Sequence, residues 1–124
     1  MAELKGKRIL ITGGLGFIGI NAAQRFARQN KVCVVDDCSR IGVENNTALL
    51  EKAGAAFRHD DISRYTDMRE IFHEFKPDVV IHLAAQVAVT LSMTNPLRDF
   101  KSNVMGSFNI LELARTMHDM PIVL

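Results

Sequence analysis

The first 36 residues constrain the fold of this chain more than any other segment. A short apolar run, Lys7–Thr12, ends abruptly at the glycine-rich segment Gly13-Gly14-Leu15-Gly16-Phe17-Ile18-Gly19. An amphipathic stretch reaching Gln29 follows, and a second apolar run, Val32–Val35, closes on the acidic pair Asp36-Asp37. Strand, glycine turn, helix, strand and acid in this order are typical of a parallel βαβ unit.

The rest of the chain continues the alternation of short apolar runs with helical patterns. The spacing predicts strands at about 8–12, 32–36, 55–59, 78–82 and 121–124. Right-handed crossovers place these strands in the order 3-2-1-4-5, which is a doubly wound parallel sheet of the Rossmann class. The chain reverses direction between strands 1 and 4, where such folds bind their ligands. Residues 1–124 are therefore predicted to form one α/β domain.

Three of the predicted helices have apolar stripes of different strength. The first stripe contains Ile18, Ala22 and Phe26. A weaker one between residues 42 and 54 offers only Ala48, Leu49, Leu50 and Ala53. The third, preceded by a Ser63 cap and stopped by Pro77, contains Met68, Ile71, Phe72 and Phe75. Each stripe is predicted to cover the sheet.

The last helix is predicted over residues 96–118, with Asn95 as its cap and Pro96 at its first position. One stripe on it is long enough to cover the sheet: Leu97, Phe100, Val104, Phe108 and Leu111. A second apolar set points elsewhere and would otherwise meet water: Met105, Ile110, Leu113 and Met117. This second set predicts self-association through the helix, and the open edge of strand 5 is a second route to a dimer.

The glycine segment has the spacing of a turn that holds a dinucleotide diphosphate. Gly13 permits a tight exit from the strand, Gly16 lets a pyrophosphate approach the backbone, and Gly19 lets the helix pack closely. The amides at the start of the helix, including those of Phe17 and Ile18, then face the phosphates.

Asp36 ends the second strand, where an acid accepts hydrogen bonds from the adenosine ribose hydroxyls. Its charge would repel a 2′-phosphate, so the sequence predicts NAD in preference to NADP. Arg40 favours the opposite choice if its side chain faces the ribose. The alternative for Arg40 is a solvated loop residue.

Five ordered motifs resemble those of the extended short-chain dehydrogenase/reductases, which include nucleotide-sugar epimerases and dehydratases. They are Thr12–Gly19, Asp36-Asp37-Cys38-Ser39-Arg40, Asp60-Asp61-Ile62, His82-Leu83-Ala84-Ala85-Gln86 and Asn103-Val104-Met105-Gly106-Ser107. Within the family, Gln86-Val87-Ala88-Val89-Thr90 and Asp99-Phe100 are most similar to the CDP-paratose (CDP-tyvelose) 2-epimerases.

The resemblance implies NAD as cofactor and a nucleotide sugar as substrate. Asp61 and Ile62 would contact the adenine, Leu83 to Gln86 would line the cofactor beyond the pyrophosphate, and Asn103 would reach it from the last helix. The alternatives are a helix cap for Asp61 and an ordinary polar position for Asn103. The complete set of implied cofactor-binding residues is Gly13, Gly16, Phe17, Ile18, Gly19, Asp36, Asp37, Ser39, Arg40, Asp61, Ile62, Leu83, Ala84, Ala85, Gln86 and Asn103. His82 is interpreted as a packed histidine at a strand end, and Thr90 and Ser92 as loop hydroxyls.

The chain departs from the family at the catalytic residues. Family members carry a Ser or Thr after strand 5 and then a Tyr-x-x-x-Lys pair, in which the tyrosine is the general base. The single tyrosine here is Tyr65, with Arg69 in the place of the lysine, on the helix after strand 3. No catalytic residue is assigned, and the chain is expected to be the N-terminal part of a longer epimerase or dehydratase and inactive alone. The alternative is a non-catalytic module that binds or senses NAD(H).

Composition excludes several other classes of function. A formal net charge of +1 gives no reason to propose a nucleic-acid or anionic-membrane surface. No apolar run approaches the roughly 20 residues of a membrane span, and the N-terminus has no signal-peptide pattern. Cys33 and Cys38 make neither a disulfide framework nor a zinc site, and Cys33 is predicted to be a core residue. These features predict a cytoplasmic protein without a metal.

Overall fold

Strands and helices alternate as the sequence predicts as far as the fourth strand in the computed structural model, which describes residues 4–117 and 121–123. The strands are β1 (Arg8–Thr12), β2 (Lys31–Asp36), β3 (Ala56–His59), β4 (Val79–His82) and β5 (Ile122–Val123). The helices are α1 (Phe17–Phe26), α2 (Thr47–Ala53), α3 (Tyr65–Phe75), α4 (Val89–Thr94), α5 (Pro96–Phe100) and α6 (Ser107–Thr116). A 3₁₀ turn (Val43–Asn46) precedes α2, and a π-helix (Lys101–Gly106) joins α5 to α6.

The described strands form one parallel sheet in the order β3-β2-β1-β4-β5, which confirms the predicted topology. The ladder continues past the carboxyl end of β1, where the Gly13 amide donates to Val35 O (2.8 Å) and the Leu83 amide donates to Thr12 O (3.0 Å). The segments that follow β1, β2 and β4 therefore start side by side at one edge of the sheet.

Alternate residues of each strand point to opposite faces of the sheet, so the core has two layers, one on each face. On one face, Ile9 and Ile11 of β1 pack with Ile20 of α1 and Leu50 of α2. On the other face, Leu10 of β1 and Cys33 of β2 belong to a cluster that α3 and α6 complete with Met68, Ile71, Phe72, Ile110 and Leu113. Both faces are covered, as expected of a parallel sheet with continuous apolar strands. Cys33 is confirmed as a core residue, and burial raises the pKa of its thiol to about 11.

An ion pair joins the starts of β1 and β4. The Arg8 guanidinium donates to both carboxylate oxygens of Asp78, at 2.9 and 3.2 Å, and the Arg8 amide adds a third bond of 2.8 Å. The guanidinium lowers the pKa of Asp78 to about 2. This pair aligns the two central strands at the end opposite the carboxyl edge.

The predicted stripe of α1 is wrong at its first residue, because Ile18 is 67% exposed. Gly19, Ile20 and Ala23 are buried instead. A Cβ at Gly19 would lie 2.5 Å from Gly13 O, so the helix turns its glycine toward the preceding loop. That contact sets the rotation of α1 and carries Ile18 into solvent.

The structure corrects α2 and the start of α3 in detail. In α2 only Leu50 is fully buried, and Leu49 is exposed. All four apolar residues predicted for α3 pack in the core. Its cap is Arg64 rather than Ser63, because the Ser63 amide is turned back to the Asp61 carboxylate at 2.9 Å.

The last helix begins as predicted but has the opposite face buried. The Asn95 side chain accepts from the Arg98 amide at 3.1 Å, and Pro96 is the first helical residue. The stripe assigned to the sheet is exposed: Leu97 60%, Phe100 50%, Val104 53%, Phe108 62% and Leu111 46%. Of the second set, Ile110 and Leu113 are buried, with Met117 packed beside them, whereas Met105 is 40% exposed as predicted. His118 and Leu124, the predicted ends of this helix and of strand 5, lie outside the described residues.

A further difference is α4, since Thr90 and Ser92 belong to a short helix rather than to the predicted loop. Among the described residues, none of the helices has the length and apolar character needed to traverse a membrane.

Candidate functional site

A pocket opens at the carboxyl edge of the sheet, beside the reversal between β1 and β4. Its lining comprises Gly13, Gly16, Val35, Asp36, Asp37, Ser39, Arg40, Asp60, Asp61, Ile62, Leu83, Ala84, Ala85, Gln86, Arg98 and Ser102. All the residues proposed from the sequence are in this lining except Phe17, Ile18, Gly19 and Asn103. Val35, Asp60, Arg98 and Ser102 were not identified from the sequence.

The two glycines in the lining differ in what the fold demands of them. Gly13 has a φ of +68°, and a Cβ there would lie 2.7 Å from the Ala84 backbone. Gly16 has an ordinary φ of −68°, and the nearest atom to a Cβ there would be Gly13 O at 3.4 Å. The fold therefore requires glycine at position 13, whereas at position 16 it would tolerate a Cβ at ordinary van der Waals distance.

The first turn of α1 begins directly after Gly16. The first helical bond runs from the Ile20 amide to Gly16 O (2.9 Å), so the three preceding amides have no carbonyl partner within the helix. The side chains of Phe17 and Ile18 are exposed beside these amides, and Gly19 packs inward. These three residues are outside the lining, and their backbone amides are the groups that the fold leaves without a helical partner.

Asp36 ties the glycine turn to the end of β2. One carboxylate oxygen accepts from the Leu15 amide at 3.1 Å, and the other accepts from the Cys38 amide at 3.0 Å. Asn46 adds a bond of 2.8 Å from its side chain to Leu15 O. Sequence reasoning missed Asn46 because it lies 31 residues from the turn that it supports.

The ends of β2 and β3 make an acidic side of the pocket. The carboxylate of Asp37 accepts from the Ser39 amide (2.9 Å), and that of Asp61 from the Ser63 amide (2.9 Å). The Asp61 bond closes a local turn before α3 and does not cap that helix, whose N-cap is Arg64, so the helix-cap alternative is wrong and Asp61 lines the pocket. Ile62 is 6% exposed, and its carbonyl accepts from the Asn109 side chain at 2.9 Å.

The β4 side of the pocket is a loop held by Asn103. The Asn103 side chain accepts from the Gln86 amide (2.7 Å) and donates to Gln86 O (3.0 Å). It also donates to Asp99, whose carboxylate accepts from the Ser92 hydroxyl at 2.9 Å. Asn103 is therefore bonded to the loop, and its predicted contact with the cofactor stays a prediction. The Gln86 side-chain nitrogen is buried and has no hydrogen-bond partner among the described residues, so it is available as a donor.

His82 lies beneath this loop as a buried strand-end residue. Its Nδ1 is 2.6 Å from Thr12 Oγ1, and its Nε2 is 3.0 Å from Ser107 Oγ. Thr12 Oγ1 also accepts from the Ala84 amide at 3.4 Å. Burial lowers the pKa of His82, so the neutral ring connects β1, β4 and α6. Tyr65 begins α3 and is not among the lining residues.

Comparison with models of known protein families identifies the family of this chain. Residues 10–123 match the family model described as GDP-mannose 4,6 dehydratase. The chain belongs to the GDP-mannose 4,6 dehydratase family. This assignment agrees with the extended short-chain dehydrogenase/reductase family that the ordered motifs predict.

Relatives of this family include epimerases as well as dehydratases. The chain is 41% identical over 110 residues to the CDP-paratose 2-epimerase of Salmonella typhi, a match covering 87% of this chain and 32% of that protein. It spans about a third of the length of the curated relatives that it matches.

Solved structures of UDP-glucose 4-epimerases have the same fold. The Thermus thermophilus enzyme in complex with NAD matches with a TM-score of 0.82 and 34% identity, over 94% of this chain and 36% of that one. The Thermotoga maritima enzyme with UDP-glucose matches with a TM-score of 0.79 and 37% identity, over 90% and 35%.

Proposed function

We propose that the pocket binds NAD, with its diphosphate on the glycine turn. The observation that carries the proposal is the set of amides at the start of α1 that have no intrahelical partner, beside the Cβ-free backbone of Gly16 in the pocket lining. The fold itself tolerates a Cβ at Gly16, whose nearest neighbour would be Gly13 O at 3.4 Å, so the glycine is explained by the approach of a ligand to the backbone. The NAD complex of the Thermus thermophilus epimerase supports the choice of cofactor.

The remaining lining residues suit the rest of a dinucleotide. Asp36 would accept hydrogen bonds from the adenosine ribose, and Asp61 and Ile62 would border the adenine. Leu83, Ala84, Ala85 and Gln86 would line the cofactor beyond the diphosphate, where the buried Gln86 nitrogen is available as a donor. Asp37, Ser39 and Arg40 would surround the ribose, and Asn103 would act through Gln86. NAD, when bound, supplies a carbon that accepts and returns hydride.

The parent protein is proposed to be an NAD-dependent nucleotide-sugar epimerase or dehydratase of the cytoplasm. It would oxidise a sugar carbon by transient hydride transfer to NAD. The 124 residues contain no Tyr-x-x-x-Lys pair, so we expect them to hold cofactor without turning over a nucleotide sugar. A non-catalytic NAD(H)-binding module is the alternative, and a longer reading frame that contains the pair would decide for the enzyme.

We also propose a homodimer, built on the outward face of the last helix. The five exposed apolar residues from Leu97 to Leu111 form a continuous stripe on this face. Isolated apolar side chains are normal on a surface, whereas a stripe of this length is typical of an interface.

Two glycine variants test NAD binding. Gly16→Ala should fold normally, because its φ is ordinary and its Cβ has room, yet it should weaken NAD binding at least about tenfold. Calorimetric titration with NAD measures the affinity, and thermal unfolding measures the stability. Gly13→Ala is the matched control, because it should destabilise the fold through its positive φ and its contact with Ala84.

Two outcomes would contradict the proposal. The first is that the unmodified chain gives no heat of binding when titrated with NAD. The second is that Gly16→Ala binds NAD as tightly as the unmodified chain.

A further inference from the structure

Arg98 is a pocket residue that sequence reasoning did not identify. It lies on α5, where its amide donates to the Asn95 cap at 3.1 Å, and its side chain is exposed. In the part of the chain that the structure describes, its guanidinium makes neither an ion pair nor a hydrogen bond. By contrast, the guanidinium groups of Arg8 and Arg58 form ion pairs with Asp78 and Glu74.

The position of Arg98 is set by a network on its neighbours. Asp99 accepts from the Ser92 hydroxyl of α4 and from Asn103, which is itself bonded to both backbone groups of Gln86. These bonds hold α5 against the loop that follows β4. Arg98 therefore lies on the β4 side of the glycine turn, because β1 separates β4 from β2 in the sheet.

The charges of the pocket are divided between its two sides. Asp36, Asp37, Asp60 and Asp61 are on the side of β2 and β3, together with Arg40. Arg98 is the cation contributed from the β4 side. A diphosphate on the glycine turn would meet neutral amides from the turn and repulsion from the carboxylates, so a cation across the turn would offset that repulsion.

We propose that Arg98 binds the diphosphate of the cofactor from the side opposite the acidic residues, an inference that rests on the proposed NAD site. A guanidinium carries a permanent charge and a planar set of N–H donors that match phosphate oxygens. Arg98 would then distinguish phosphorylated from unphosphorylated ligands of the same adenosine pocket.

The test is a ligand series on two arginine variants. Adenosine, ADP and NAD are titrated calorimetrically into the unmodified chain, Arg98→Gln and Arg28→Gln. Arg28 is an arginine outside the pocket and serves as the matched control. We expect Arg98→Gln to bind ADP and NAD about tenfold more weakly and adenosine unchanged, with Arg28→Gln unaffected. Arg98→Lys should recover part of the loss, and the affinity of Arg98→Gln for ADP should depend less on salt.

The outcomes separate this inference from the proposed function. Equal affinity of Arg98→Gln and the unmodified chain for ADP would overturn the role of Arg98 while leaving the NAD site in place. An equal loss for adenosine and ADP would also overturn it, since the effect would then lie outside the diphosphate. A chain that binds neither ADP nor NAD would overturn both proposals. Thermal unfolding of each variant checks that the fold is retained.

Discussion

Single residues in this pocket combine support of the fold with contacts to a ligand, and Asp36 is the example with the most direct consequences. Its carboxylate is already bonded to the amides of Leu15 and Cys38, which join the glycine turn to the end of β2. Each oxygen keeps a further lone pair for a ribose hydroxyl. Removing the side chain therefore disturbs the turn and the ribose contact together, whereas Asp36→Asn removes the charge and keeps one of the two acceptors that hold the turn.

We predict that Asp36→Ala and Asp36→Asn differ in their response to NAD and NADP. Asp36→Ala should lose about 1.5–3 kcal/mol of NAD binding, the value of charge-assisted hydrogen bonds. Asp36→Asn keeps an acceptor but lacks the charge that repels a 2′-phosphate, so its preference for NAD over NADP should narrow. Calorimetry with both cofactors measures the preference. Equal affinity of the unmodified chain for NAD and NADP would make the prediction wrong and would indicate that Arg40 dominates.

Among the helices, the last one shows why the longest apolar stripe of a helix is not always its buried face. Its first half faces the loop after β4 and the pocket, so the inward residues there are Asp99, Ser102 and Asn103, which are polar. Only α6 reaches the core, through Ile110 and Leu113. A π-helix joins the halves, and π segments occur frequently at functional sites. The longer apolar stripe is consequently the outward one.

The outward stripe gives a prediction on assembly with a matched pair of variants. Phe108 is 62% exposed and Leu113 is 1% exposed, one on each face of the same helix. Phe108→Glu should convert a dimer to a folded monomer, because its side chain lies outside the core, and its unfolding midpoint should fall only by the stabilisation that dimerisation supplies. Leu113→Glu should instead unfold the chain, because it buries a charge in the core.

Light scattering at micromolar concentration measures the mass of each variant. A Phe108→Glu protein that remains a dimer would implicate the edge of β5, and an unmodified chain that is monomeric would exclude the interface.

For the molecule as a whole, two titratable groups, His82 and Asp78, make the free energy of unfolding depend on pH. Burial lowers the pKa of His82, so the unfolded chain binds a proton below about pH 6.5 that the folded chain resists. The stability contributed by the neutral ring is present above pH 6.5 and declines as the pH falls below it. Arg8 lowers the pKa of Asp78 to about 2, so its contribution is present above the ordinary value of 3.8 and is lost as the pH falls toward 2.

We predict that His82 determines part of the loss of stability between pH 6.5 and 5. The free energy of unfolding should fall by up to about 1.4 kcal/mol per pH unit from this group alone. His82→Gln should be less stable at pH 7, where it loses the bonds to Thr12 and Ser107, yet its stability should change less with pH. Urea unfolding at pH 7.5 and 5.0 measures both quantities, with the exposed His73→Gln as control. An unchanged slope in His82→Gln would contradict the prediction.

The order of the strands and the edge of the sheet that carries the pocket follow from the sequence pattern. Strand periodicity and the right-handed crossover rule depend on local stereochemistry, which does not require knowledge of distant contacts. Gly13, Asp36 and the Leu83–Gln86 segment could be placed at the same edge for this reason. Their predicted contacts with a cofactor remain predictions.

Contacts between segments far apart in the chain become visible only in the folded protein. Asn46 supports Leu15, Asn103 holds Gln86, and Arg98 enters the pocket only because that bond brings α5 to the loop after β4. The fold also determines which face of the last helix is buried, since the residues of an apolar stripe are the same whether it packs in a core or forms an interface. Periodicity reports how residues repeat along one element, whereas burial depends on what the remaining elements place against it.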